Sequence, residues 1–213
     1  MSNATHHHVY IPSPSGSPRT LLLLHGTGGD EHDLIGLGRQ LDPQAALLGV
    51  RGNVLEHGAP RWFRRLAEGV FDEVDLRQRT ADLDTFLADA QAQYAIDPAG
   101  LTAVGYSNGA NIAAALLMLY PGRLHSAVLL RAMLPLTPDA PPVLDGTRVF
   151  MAAGEHDPYT PRDKVEALST LLRSAGAEVT LRWRDGGHEL GLEELAAARD
   201  WLRVARGVGP VSC

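Results

Sequence analysis

Residues Ala103–Asn111 read AVGYSNGAN, and this stretch decides how the chain is read. The apolar run Leu101–Tyr106 has the length and bounds of a buried strand. Ser107 follows between Gly105 and Gly109, and Ala110–Tyr120 is almost wholly apolar, as in a buried helix that ends at Pro121-Gly122. A serine hydroxyl is a poor nucleophile until a base takes its proton. It must also stand clear of the sheet, where a carbonyl carbon can reach it. A sharp turn from strand to helix meets both needs at the cost of a strained backbone at Ser107. Glycine at 105 and 109 removes side chains that would collide around that turn. A helix starting near Asn108 points free N–H groups toward the place where negative charge would develop. The spacing G-x-S-x-G thus occurs in the strand–turn–helix context that the motif requires. The pentapeptide alone says less, because a tight turn with a serine N-cap uses the same residues.

Working outward, short apolar runs alternate with longer amphipathic ones. Leu21–Leu24, Ala46–Val50, Ala127–Leu130, Val149–Ala153 and Val179–Trp183 join Leu101–Tyr106 as strands expected to be buried on both faces. Helical spacing covers His32–Leu41, Val74–Tyr94, Pro161–Ser174 and Leu192–Val204 as well as Ala110–Tyr120. Strand and helix in alternation predict an α/β fold, a mostly parallel twisted sheet with helices on both faces. Residues 51–72 form the longest irregular segment, and 131–147 form a proline-rich connection with Pro135, Pro138, Pro141 and Pro142. Long connections in a compact domain are often functional. The expected organisation is an N-terminal, partly flexible segment 1–18, one domain over 19–206, and a tail over 207–213.

The bulk numbers narrow the function class. A chain of 213 residues with 45% hydrophobic residues suits one folded domain. A net charge of −6 argues against a nucleic-acid partner. The one cysteine, Cys213, excludes an intramolecular disulfide and a thiolate metal cluster. The N-terminus MSNATHHHVY has no apolar signal region, and no apolar run approaches a membrane span, so the expected location is the cytoplasm. His6, His7 and His8 are read as a flexible polar tail, native or added, rather than a metal site.

A base for Ser107 should lie beyond it. Where this motif sits on such a sheet, the acid and then the histidine follow the serine in the chain. GEHDP ends the fifth strand and offers Asp157; DGGHEL follows the sixth and offers His188. Both fall at C-terminal strand ends, the edge where open parallel sheets place ligands. His156 is the rival imidazole, next in sequence to Asp157, and Asp185 and Glu155 are the rival acids. An oxyanion hole would combine the backbone N–H of Asn108 with that of Thr27, in the loop HGTGGDE after the first core strand. His25 and Asp30 are expected to brace that loop. A phosphate cradle is the other reading of these glycines, but neither G-x-G-x-x-G nor G-x-x-x-x-G-K-[ST] is present. Nothing suggests a cofactor or a metal.

Together LLLLHGTGGDE, GYSNGAN, GEHDP and DGGHEL resemble the α/β-hydrolase superfamily. More narrowly they resemble its small carboxylesterase/phospholipase branch, which includes acyl-protein thioesterases and bacterial hydrolases linked to hydroquinone stress. The resemblance runs from about Leu21 to Trp201. It implies Ser107 as nucleophile, His188 as base and Asp157 as its orienter. It implies a small-molecule ester substrate, and a monomer or homodimer. RWFRRLAEGVFD, Arg61–Asp72, resembles the bacterial subgroup, and by analogy Trp62 and Phe63 would line the substrate pocket, though packing would use the same aromatics. The chain has no insertion long enough for a lid domain, so long-chain lipase activity is not expected. Serine rather than cysteine at 107 argues against a dienelactone hydrolase. Two other readings stay open at this stage: a non-catalytic ligand-binding protein on a hydrolase scaffold, and an amide or C–C bond hydrolase.

Overall fold

The computed structural model describes residues 6–204. In chain order the elements are β1 (His8–Ile11), β2 (Thr20–Leu24), α1 (Ile35–Leu41), β3 (Ala46–Val50), β4 (Val54–Glu56), β5 (Ala59–Arg61), β6 (Arg65–Ala67), β7 (Val70–Phe71), α2 (Glu73–Tyr94), β8 (Leu101–Tyr106), α3 (Asn108–Leu119), β9 (Ser126–Leu130), β10 (Arg148–Gly154), α4 (Arg162–Ser174), β11 (Glu178–Arg184) and α5 (Leu192–Val204).

A seven-stranded sheet runs in the order β1-β3-β2-β8-β9-β10-β11. All its pairs are parallel except β1 with β3. Alternation along each strand feeds two cores. Leu22, Leu24, Ala103, Val149 and Met151 face the helices α2, α3 and α4, whereas Leu21, Leu23, Val104, Phe150 and Ala152 face α1 and α5. β8 is the central strand. β2 leads through α1 to β3 on one side, while its other neighbour, β8, is reached only after α2. The strand order therefore reverses between β2 and β8, and a crevice opens beyond their C-terminal ends.

Four features depart from the sequence expectations. His8–Ile11, inside the segment read as partly flexible, is an edge strand. It is anchored by neighbours rather than free: His6 Nδ1–H donates to the Arg51 carbonyl at 2.8 Å, and His8 Nε2 lies 2.8 Å from the Tyr94 hydroxyl. Segment 51–72 is not irregular but folds into two antiparallel ribbons, β4-β5 and β6-β7. β11 is only partly buried, because as an edge strand it has one neighbour. The helix expected from His32 begins at Ile35, after turns in which Asp30 Oδ1 accepts the His32 N–H at 2.8 Å. Cys213 and the tail 207–213 lie outside the described residues, as do residues 1–5. Among the described residues no helix is long and apolar enough to cross a membrane, and no group of His, Cys, Asp or Glu is placed to hold a metal ion.

Candidate active site

Ser107 stands between β8 and α3 with φ 53° and ψ −115°. A non-glycine residue there costs on the order of 1–3 kcal/mol and persists only where its surroundings fix it. Its N–H donates to the Leu130 carbonyl at 2.8 Å, and its carbonyl accepts from Asn111 N–H at 3.0 Å. The flanking glycines are steric necessities. A Cβ on Gly109 would lie 2.0 Å from the Leu24 carbonyl oxygen, and one on Gly105 would lie 2.5 Å from the Gly109 carbonyl oxygen. Strand β8, helix α3 and strand β2 meet with no room for a methyl group.

Two loops bring their side chains to this turn. His188, after β11, places Nε2 2.8 Å from Ser107 Oγ and Nδ1 2.7 Å from Asp157 Oδ2. The carboxylate can only accept, so Nδ1 carries the proton and Nε2 is free to accept the serine hydroxyl. Asp157, after β10, is buried. Its Oδ2 also accepts Thr160 Oγ1–H at 2.6 Å, and its Oδ1 accepts the N–H groups of Tyr159 and Thr160 at 2.8 and 3.3 Å. Burial pushes its pKa up, but the hydrogen bonds from Thr160, His188 and Tyr159 outweigh it and hold the carboxyl below its ordinary value. The ring of His188 is flanked by Tyr159, edge-on at 5.0 Å, and by Tyr106 at 5.4 Å. The rivals point elsewhere: His156 and Asp185 meet each other at 3.0 Å on the surface, and Glu155 pairs with Arg162.

Thr27 and Asn108 both line the cavity beside Ser107. Among the described residues neither backbone N–H has a protein acceptor, and Asn108 opens α3, where first-turn N–H groups have none within the helix. His25 braces the Thr27 loop. Its Nδ1–H donates to the Gly26 carbonyl at 2.6 Å and its Nε2 accepts Gly52 N–H at 3.0 Å, which fixes the tautomer. Burial holds its pKa below the ordinary imidazole value.

The cavity has a volume of about 480 Å³ and opens onto Ser107 and His188. Segment 51–72 contributes Arg61, Arg65, Glu68 and Phe71 to its lining, and Met133 and Tyr159 line it as well. Trp62 and Phe63, expected to line it, do not. Both are fully buried in the core under α2 and α3. Trp62 Nε1–H donates to the His25 carbonyl at 2.9 Å, and its backbone N–H donates to Asn108 Oδ1 at 2.8 Å. Phe63 packs edge-on against Phe71 at 5.0 Å. Trp62 thus supports the His25–Thr27 loop from beneath, while Arg61 faces the cavity and donates to Thr27 Oγ1 at 2.9 Å. Sequence reasoning also passed over Arg131 and Glu194, a buried ion pair at 2.7 Å. A charged residue closing the apolar run SAVLLR was the available signal.

Comparison with known proteins decides the family. The model of the family described as Phospholipase/Carboxylesterase matches residues 6–206. The chain belongs to the phospholipase/carboxylesterase family. It is 48% identical over 198 residues to MhqD of Bacillus subtilis (strain 168), covering 93% of this chain and 98% of that one. The crystal structure of the Bacillus cereus carboxylesterase superposes with a TM-score of 0.92 at 48% identity, covering 96% of each chain. A carboxylesterase from Mesorhizobium loti superposes with a TM-score of 0.88 at 34% identity, over 95% of this chain and 96% of that one. The phospholipase/carboxylesterase fold is the α/β-hydrolase fold that the four sequence motifs imply.

Proposed function

We propose that this member of the carboxylic ester hydrolases cleaves small acyl or aryl esters, or thioesters, through an acyl-enzyme on Ser107. One observation carries the reading: a single imidazole joins Ser107 Oγ to Asp157 Oδ2 by hydrogen bonds of 2.8 and 2.7 Å. His188 Nε2 takes the hydroxyl proton as Oγ attacks the ester carbon, then gives it to the departing alcohol or thiol. Asp157, held ionised, keeps the proton on Nδ1 and stabilises the imidazolium. The N–H groups of Thr27 and Asn108 receive the tetrahedral oxyanion. Water activated by His188 then releases the acid. The strained turn at Ser107 and the depressed carboxyl of Asp157 both fit this division of roles.

The site is complete within one chain, so a homodimer, if formed, is not needed for the chemistry. The proposed setting is the cytoplasm. The cavity is lined by the charged groups Asp33, Arg61, Arg65 and Glu68, which favours compact polar substrates over long alkyl chains. The test is hydrolysis of p-nitrophenyl acetate and butyrate. Ser107→Ala should abolish turnover and labelling by a fluorophosphonate while leaving the fold intact. Turnover at the wild-type rate in that variant refutes the reading.

A further inference from the structure

A wholly buried charged group beside the site takes no direct part in the proposed reaction. Arg131 directly follows β9, at the sheet edge that carries Ser107, and is wholly buried. A buried guanidinium is costly unless every donor is engaged, so its partners identify its role. Nη1 and Nη2 donate to the two carboxylate oxygens of Glu194 at 2.7 and 2.9 Å, a bidentate pair. Nε donates to the Gly187 carbonyl at 3.0 Å, and Nη2 donates also to the Glu189 carbonyl. Those two carbonyls flank His188. Glu194, on α5, accepts the Gly191 N–H at 2.8 Å and so closes the same loop. Arg131 Nε also lies 4.0 Å from Asp157 Oδ2, the oxygen that meets His188.

The backbone of Arg131 is itself in the left-handed region, with φ 60°. Such a conformation at a non-glycine residue is retained only where contacts over-determine it. Its N–H donates to the Ala152 carbonyl of β10 at 2.9 Å. The loop it grips needs outside support, since Gly186, Gly187 and Gly191 leave it little stiffness of its own.

We propose that Arg131, paired with Glu194, is a positioning residue for His188, acting beside the Tyr106 hydroxyl, which donates to the His188 carbonyl at 3.0 Å. Arg131 fixes the 187–189 backbone so that one imidazole can meet Asp157 and Ser107 at the same time. The proposal rests on the triad reading above. The planar fork is what the role requires, because one cation must hold a carboxylate and two carbonyls in fixed directions. An ammonium keeps the charge but not the fork.

Arg131→Lys and Glu194→Gln test this in the full chain. Three quantities are read: kcat and KM for p-nitrophenyl butyrate, Tm, and the low-field proton resonance of the His188 Nδ1–H held by Asp157. Arg131→Lys should lose about 100-fold in kcat, the scale of a small misplacement of a reacting group. KM should stay within about threefold and the low-field resonance should broaden or vanish. Glu194→Gln should move the same way by a smaller factor. A lysine variant with nearly wild-type kcat and a sharp resonance overturns the proposal, as does a loss confined to Tm. Should the lysine variant not fold, Glu194→Gln decides by the same criteria. Ser107→Ala run alongside separates the two claims: if it keeps turnover, the triad reading has failed, and the clamp is judged from the resonance alone.

Discussion

At the scale of single residues, the site works through groups that have almost no freedom left. Ser107 is strained, Gly105 and Gly109 lie where no methyl group fits, and both oxygens of Asp157 are engaged by the protein. Gly109→Ala should therefore destabilise by at least ~1–3 kcal/mol, since its Cβ would meet the Leu24 carbonyl at 2.0 Å and only a shift of α3 could relieve it. A thermal melt indistinguishable from wild type would contradict this. Asp157→Asn tests a different property. The carboxyl sits below its ordinary value of 3.8, so it is ionised throughout the range in which an imidazole titrates. Its stabilising contribution is present above about that value and is lost only as pH falls through the lower, folded one. An amide in its place would donate to the loop, favour the wrong imidazole tautomer and cost about 10⁴-fold in kcat. Steady-state rates at a fixed pH near 8, with Tm as the control for folding, give the measurement.

At the scale of elements, the 51–72 segment shows where sequence was informative and where it was not. The parallel strands were legible because burial on two faces writes an unbroken apolar run: Ala46–Val50 and Leu101–Tyr106 are strands with those very bounds. Ser107 and Asp157 were legible because each closely follows such a run, Ser107 between the glycines at 105 and 109 and Asp157 before Pro158, whereas His188 follows the partly buried β11 and was marked by the glycines before it. Trp62 and Phe63 were not legible, since an aromatic in a loop can face either the cavity or the core, and the choice depends on partners distant in sequence. Here the indole N–H finds the His25 carbonyl and the Trp62 backbone finds Asn108. Arg131 escaped notice for a similar reason, because its partners lie 56 to 63 residues away. The ribbon β4-β5 is tied to the loop that carries Thr27 by the Gly28 N–H, which donates to the Pro60 carbonyl at 2.8 Å. Trp62→Phe strands the His25 carbonyl and leaves a small cavity in the packed core, which together should cost about 2–4 kcal/mol. It should also lower kcat more than it changes KM, because the Thr27 N–H loses its footing. Equal kcat with reduced Tm would mean that the ribbon supports the fold and not the loop that carries Thr27.

At the scale of the whole molecule, the N-terminal residues are joined to the same edge through a histidine that no motif marks. β1 was missed because an edge strand of four residues, directly after three histidines read as a flexible polar tail, offers an apolar run of only three residues. His6 is nonetheless buried between Trp62 and Phe86, with ring distances of 5.8 and 5.4 Å. Its Nδ1–H is given to the Arg51 carbonyl, while Nε2 is buried with no partner among the described residues. Burial holds the pKa of His6 below 6.5, as it does for His25. Between the lowered folded value and 6.5 the unfolded chain binds protons that the folded chain refuses. Stability must then fall as pH drops below about 6.5, by up to ~1.4 kcal/mol per pH unit for each such histidine, and level off below the folded value. His6→Gln can keep a donor for the Arg51 carbonyl but cannot titrate. Its denaturant midpoint should fall less than that of the wild type between pH 7.5 and pH 5, and the difference between the two slopes isolates His6 from every other group. Parallel slopes would mean that His6 takes up its proton equally in the folded and unfolded chain, and that the N-terminal strand is not sealed against the Trp62 core.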